Sequence, residues 1–134
     1  MPKYSKGKFG FTPDNVLFSR VRKLVTSLAL EWIDVSNVYA VKSVNSRSRA
    51  VARIWGLSKI WQKVLGVAPA YIIEAVSEKF DKLSDHQKDE VVLHELTHIP
   101  KNFSGALLPH TRKGNGSFHR KLDELISSYR KNAK

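Results

Sequence analysis

The segment at residues 84–99, SDHQKDEVVLHELTHI, constrains the fold more than any other part of the chain. Ser84-Asp85-His86-Gln87 reads as a capping box: the Ser hydroxyl can accept from the backbone amide three residues on, and Gln87 can reach back. A helix therefore starts here, and Pro100 helps to end it near Ile99. Val91, Val92, Leu93, Leu96 and Ile99 make the helix apolar around its second half, so it belongs against a core. The same stretch carries His94, Glu95 and His98. Unpaired imidazole nitrogens are costly to bury. The chain must therefore bury this helix and satisfy its polar groups at once.

His94 and His98 are four residues apart, so on a helix they share a face, one turn apart. Two imidazoles so placed can reach one metal ion at about 2.0–2.1 Å. Glu95 is long enough to reach a water on that metal and take its proton. This is the zinc-hydrolase arrangement. The plainer alternative is a pair of structural histidines, and the apolar setting on an independently predicted helix argues against it. The chain has no cysteine, so any metal is held by His, Asp or Glu. A third protein ligand is needed. His110, His119 and Glu124 are the candidates, with Asp123 beside the last. His110 lies 12 residues past His98, far enough for the chain to turn back, and is the preferred choice. His119 suits a surface position on the last helix, and Glu124 would be a second-helix ligand. His86 reads as surface. Tyr71, Arg112 and His119 are the available guesses for a group that stabilises an oxyanion. No phosphate-binding glycine loop or nucleophile elbow is present. The extended HExxHxxGxxH pattern fails, because Lys101 and Ser104 stand at its Gly and third His places.

The rest of the chain supplies a small α+β domain. Residues 1–11 read as a basic arm, 12–129 as one domain and 130–134 as a basic tail. Thr12-Pro13-Asp14 predicts a helix start, with Thr12 as the cap. Leu17, Val21, Leu24 and Leu28 then recur at helical spacing, and the helix is expected to reach about Trp32. Residues 38–44 and 50–55 are β-prone and flank a turn-like, Arg-rich stretch, which predicts a hairpin. Leu57, Ile60, Trp61, Val64 and Leu65 predict a short helix stopped by Gly66 and Pro69. Residues 70–76 are a third strand. Phe118, Leu122, Leu125, Ile126 and Tyr129 form the apolar stripe of a last helix capped by Ser117.

Charge is uneven along the 134 residues. Residues 1–30 hold six Lys/Arg against one acid, 31–100 nine against nine, and 101–134 eight against two, for a net +11. Basic ends of this kind serve solubility or form a footprint for nucleic acid. No apolar run approaches the roughly 20 residues that span a bilayer. The basic N-terminus has no apolar segment behind it, so it does not read as a signal peptide. The expectation is a cytoplasmic protein.

Residues 94–110, HELTHIPKNFSGALLPH, resemble a metallopeptidase family of archaea, phages and bacteria. Its pattern is HExxHIPxxFSG followed by Pro-His. The likeness extends upstream through ARIWGLSKIWQ and AYIIEAVSEKFDKLS, covering residues 50–110. At greater distance the chain is similar to SprT-like zinc proteases. The resemblance implies Zn2+ held by His94, His98 and His110, with Glu95 as the base in peptide-bond hydrolysis. Many SprT-like proteins carry a Cys-rich zinc ribbon, which this chain lacks. The expected fold is zincin-like: a mostly antiparallel sheet of about three strands, an N-terminal helix, the HExxH helix and a C-terminal helix. In such folds the strand before the HExxH helix, here residues 70–76, edges the cleft and can receive a peptide substrate as an added strand. A metal-stabilised nucleic-acid-binding protein without hydrolytic activity is the alternative, as is a protease acting on nucleic-acid-bound proteins.

Overall fold

The computed structural model describes residues 9–109 and 117–132. It is an α+β fold. Four strands, β1 (Gly10–Pro13), β2 (Val38–Val44), β3 (Ala52–Gly56) and β4 (Tyr71–Val76), form one mixed sheet in the order β1-β2-β4-β3. The helices are α1 (Asn15–Ser27), α2 (Lys59–Leu65), α3 (Ser77–Phe80), α4 (Asp85–Thr97) and α5 (Ser117–Asn132). One face of the sheet is the core face. Val38, Ala40, Tyr71, Ile73 and Ala75 lie buried there with Leu17, Val21 and Leu24 of α1 and Val92, Leu93 and Leu96 of α4.

Several expectations change. The sheet has four strands rather than three, because residues 10–13 pair antiparallel with β2 (Gly10 opposite Val44). Gly10 and Phe11, read from sequence as part of the arm, belong to that strand. The expected hairpin does not form. β4 lies between β2 and β3, parallel to the first (Val38 opposite Tyr71) and antiparallel to the second (Ala52 opposite Ala75). The physical reason is burial. Every β4 residue except Ile72 is buried, which suits a central strand and not an edge. The connection over residues 45–51 is long enough to skip one strand, a gap of about 10 Å. It is organised by its own serines: Ser46 Oγ accepts from Ser48 N–H and Ser48 Oγ from Ala50 N–H, each at 3.0 Å.

Glu74 fastens β3 to β4 on the opposite face. Its carboxylate is fully buried and accepts from Arg53 Nε at 3.1 Å, Arg53 Nη2 at 2.9 Å and Trp55 Nε1 at 2.9 Å. Burial pushes this carboxyl up, but its contacts with Arg53, Ser43 and Trp55 outweigh that and hold it below the ordinary glutamate value.

α1 is shifted at both ends. Asp14, not Thr12, is the N-cap, and its side chain accepts from Leu17 N–H at 3.0 Å. Thr12 and Pro13 are spent in β1. The helix stops at Ser27, short of Trp32, in a Schellman turn: Leu30 N–H bonds Val25 C=O at 3.0 Å and Ala29 N–H bonds Thr26 C=O at 3.2 Å. Ala29 occupies the left-handed position, at φ 52°, where glycine is the usual signal. That absence of glycine hid the helix end. Ala29 is exposed, so Ala29→Gly relieves the strain without a cavity and should stabilise the protein by about 0.5–1 kcal/mol. Chemical denaturation checks it.

Candidate metal centre

α4 begins as its sequence dictates. Ser84 Oγ accepts from Gln87 N–H at 3.2 Å and Gln87 Oε1 accepts from Ser84 N–H at 3.0 Å. From this start, helical periodicity turns Val92, Leu93 and Leu96 into the core. His94 and Glu95 come out half-buried beside them, and His98, the C-cap, is buried. The rings of His94 and His98 stand 5.4 Å apart, centroid to centroid.

The loop after α4 sets the orientation of His98. Leu108 N–H bonds the His98 carbonyl at 2.7 Å, and the Leu108 carbonyl accepts from His98 Nδ1. A carbonyl can only accept, so Nδ1 carries the proton, and in the neutral form of the ring the lone pair is on Nε2. That is the tautomer a metal binds, fixed by a backbone partner in the usual manner of metal-ligating histidines. The loop is itself clamped. Tyr71, fully buried in β4, accepts from Gly105 N–H and donates to the Ala106 carbonyl, both at 2.8 Å. Gln62 Nε2 donates to the Leu57 carbonyl at 2.7 Å and the Ser104 carbonyl at 2.9 Å. Gly105 has φ 95°, and a Cβ there would lie 2.2 Å from the Leu57 carbonyl oxygen, so only glycine fits. Phe103 is held at φ 47° with its ring against Tyr71. The Phe103-Ser104-Gly105 triplet is thus the piece that docks the returning loop on the sheet. Tyr71 has its hydroxyl committed to this loop, which removes it as an oxyanion donor. The partners Leu108, Tyr71 and Gln62 were not recognised from sequence; Gly105 was the one signal of a close approach.

A groove of about 450 Å3 opens along α4, with His94 and Glu95 on one side and Val51, Ala52 and Ile126 on the others. Burial pushes the Glu95 carboxyl up from the ordinary glutamate value to about 7, where a general base is most useful. α5 borders the groove and is tied to α4. Tyr129 O–H donates to Asp89 at 2.6 Å, and Arg130 pairs with Glu90 at 2.9 and 3.1 Å. His86 is exposed, as expected, with Nδ1 2.8 Å from the Tyr129 oxygen.

Among the described residues no group of three or more His, Asp or Glu gathers as a metal site. His94 and His98 come together. His110 and Arg112 lie outside the described residues, as do the arm up to Lys8 and the last two residues of the tail. His119 falls in α5, but its side chain is not among those described. Asp123 and Glu124 are exposed on α5. The donor chemistry still fits a divalent metal: two neighbouring imidazoles, one with its tautomer set, and a half-buried carboxylate next to them in the chain.

The buried helix of this α+β fold brings two imidazoles together and sets one of them, His94, on a groove beside a carboxyl raised by burial. A family model described as Putative phage metallopeptidase matches residues 10–125, and the chain belongs to that family. No curated protein and no solved structure matches it.

Proposed function

We propose that this protein is a zinc-dependent metallopeptidase of zincin-like, distantly SprT-like organisation. The observation that carries the proposal is the pairing of the His94 and His98 rings, with His94 and a Glu95 carboxyl raised to about 7 lining one groove. His94 and His98 would hold the metal through ring nitrogens, and imidazole donors suit zinc. His110 is the third ligand. Leu108 is bonded to His98 through both its N–H and its carbonyl, and two further residues span at most about 7 Å. The chain is therefore beside His98 at Leu108, two residues short of His110. His119 and Glu124 are the alternatives, delivered by α5.

When bound, zinc would acidify a water and polarise the scissile carbonyl. Glu95 takes the proton from the attacking water and passes it to the leaving amine nitrogen. The half-buried setting keeps that carboxylate poorly solvated and basic. β4 cannot receive the peptide, because both of its edges are paired. β3 is the edge strand on the groove side, where Ala52 lines the groove with Glu95. Strand alternation turns the N–H and C=O of Ala52 and Ile54 away from β4, so an extended peptide can add there as a fifth strand. Among the described residues no helix is long and apolar enough to cross a membrane, and we place the protein in the cytoplasm.

The test is hydrolysis of a denatured protein substrate by the purified chain. Activity should disappear with a chelator and return with zinc. Activity that survives complete metal removal would reject the proposal.

A further inference from the structure

The sheet has a second exposed surface, on the face away from the core. Strand alternation puts Phe11 of β1, Tyr39 of β2, Ile72 of β4 and Trp55 of β3 on that face. All four are exposed, Tyr39 by 53% and Phe11 by 51%. A groove of about 590 Å3 runs there, between Phe9 and Phe11 at one edge and Arg53 and Trp55 at the other, with residues 45–48 along it. The Phe9 and Phe11 rings meet edge to face at 4.6 Å. The Arg53 guanidinium lies 5.3 Å from the Trp55 ring centroid.

These aromatics are organised before any ligand arrives. Glu74, buried beneath, holds the Arg53 fork and the Trp55 indole N–H on the same carboxylate. The Trp55 ring therefore has little orientational freedom to lose on binding. Glu74 also neutralises Arg53. Arg47, in contrast, lines the groove and is exposed, and among the described residues no ion pair engages it. Arg49 is exposed two residues on.

We propose that this groove binds single-stranded nucleic acid, with bases stacked on Trp55 and Phe11 and the phosphate backbone drawn to Arg47. Preset aromatic faces beside uncompensated cations are what sequence-tolerant single-strand binding requires. A duplex hides its base faces and offers nothing to Trp55 or Phe11. A second copy of this chain would bring Arg47 and Arg49 against like charges across a two-fold axis. None of these residues belongs to the metal centre, so the proposal stands apart from the peptidase reading.

The experiment is fluorescence anisotropy with the full chain and a labelled oligothymidylate of about 15 nucleotides, starting at about 50 mM salt, where phosphate contacts are strong. Trp55→Ala and Phe11→Ala should each weaken binding about 5- to 150-fold, the usual loss for one stacked base. Arg47→Ala should flatten the log–log salt slope by about 0.7. Lys59→Ala with Lys63→Ala, on exposed α2, should change affinity less than twofold. Circular dichroism verifies folding; if Trp55→Ala unfolds, Phe11→Ala decides. The proposal is overturned by no binding at low salt. It is equally overturned if the aromatic variants bind as wild type, or if a polyglutamate peptide or a duplex of the same length binds as tightly as the oligothymidylate.

Discussion

Glu95→Gln should reduce peptide hydrolysis by about 10²- to 10⁴-fold, the range for losing a positioned general base, while metal content stays at the wild-type level. The same substitution should make the metal-free protein more stable at alkaline pH. The sign follows from the carboxyl being raised from 4.5 in an unstructured chain to about 7 in the fold. Above pH 7 it is ionised in both states, and the folded state bears the full cost of a poorly solvated carboxylate. That cost is about 3 kcal/mol. It shrinks as pH falls from 7 to 4.5 and is absent below that, where the group is protonated in both states. Glutamine never ionises. Thermal unfolding in chelator should therefore show the variant above wild type at pH 8 and level with it near pH 4. Equal stability at both pH values would mean the carboxylate is well solvated and not poised as a base. A gain in stability coupled to a loss in rate marks a group kept for chemistry.

The second large effect concerns the ligands. Wild-type protein should carry about one zinc per chain, and His94→Ala or His98→Ala should bring this close to zero, since on the proposed reading each ring would fill one of three protein positions. His98→Ala should also lose stability that His94→Ala keeps. It empties a buried site and releases the Leu108 carbonyl, at a cost of about 2–3 kcal/mol. His110→Ala should lower zinc affinity and hydrolysis by orders of magnitude, while Glu124→Ala should do neither. Elemental analysis and a competitive zinc titration read all four variants. If Glu124→Ala loses the metal and His110→Ala keeps it, the third ligand comes from α5 and the site is built as in thermolysin-like enzymes.

Much of this protein is legible along the chain where the controlling physics is local. The capping box at Ser84 and Gln87 formed as written, because both partners lie within four residues. The HELTH spacing brings two imidazoles together through helix geometry alone. The amphipathic stripes of α1 and α5 identified those helices. Errors arose where a distant partner decided. Thr12-Pro13 has the chemistry of a helix start, yet β2 claims it as a strand. Ala29 takes a glycine's conformation because Leu30 behind it is buried. Residues 38–44 and 50–55 are β-prone and read as a hairpin, but β4 is the strand buried on both faces and takes the place between them, with Glu74 fastening it to Arg53 and Trp55 of β3.

The sequence alone determined the donor types, their spacing on a helix and the need to bury that helix, because 3.6 residues per turn and the cost of an unpaired polar group apply to any fold. Only the tertiary structure decided the state in which those donors are held. The tautomer of His98 depends on a carbonyl ten residues away, which reaches it because Tyr71 and Gln62 clamp the intervening loop. The basicity of Glu95 depends on how much water the surrounding elements exclude. Strand order, and with it the edge that can receive a peptide, follows from competition among pairings. Each of these is a long-range interaction, and local propensity carries no information about which one wins.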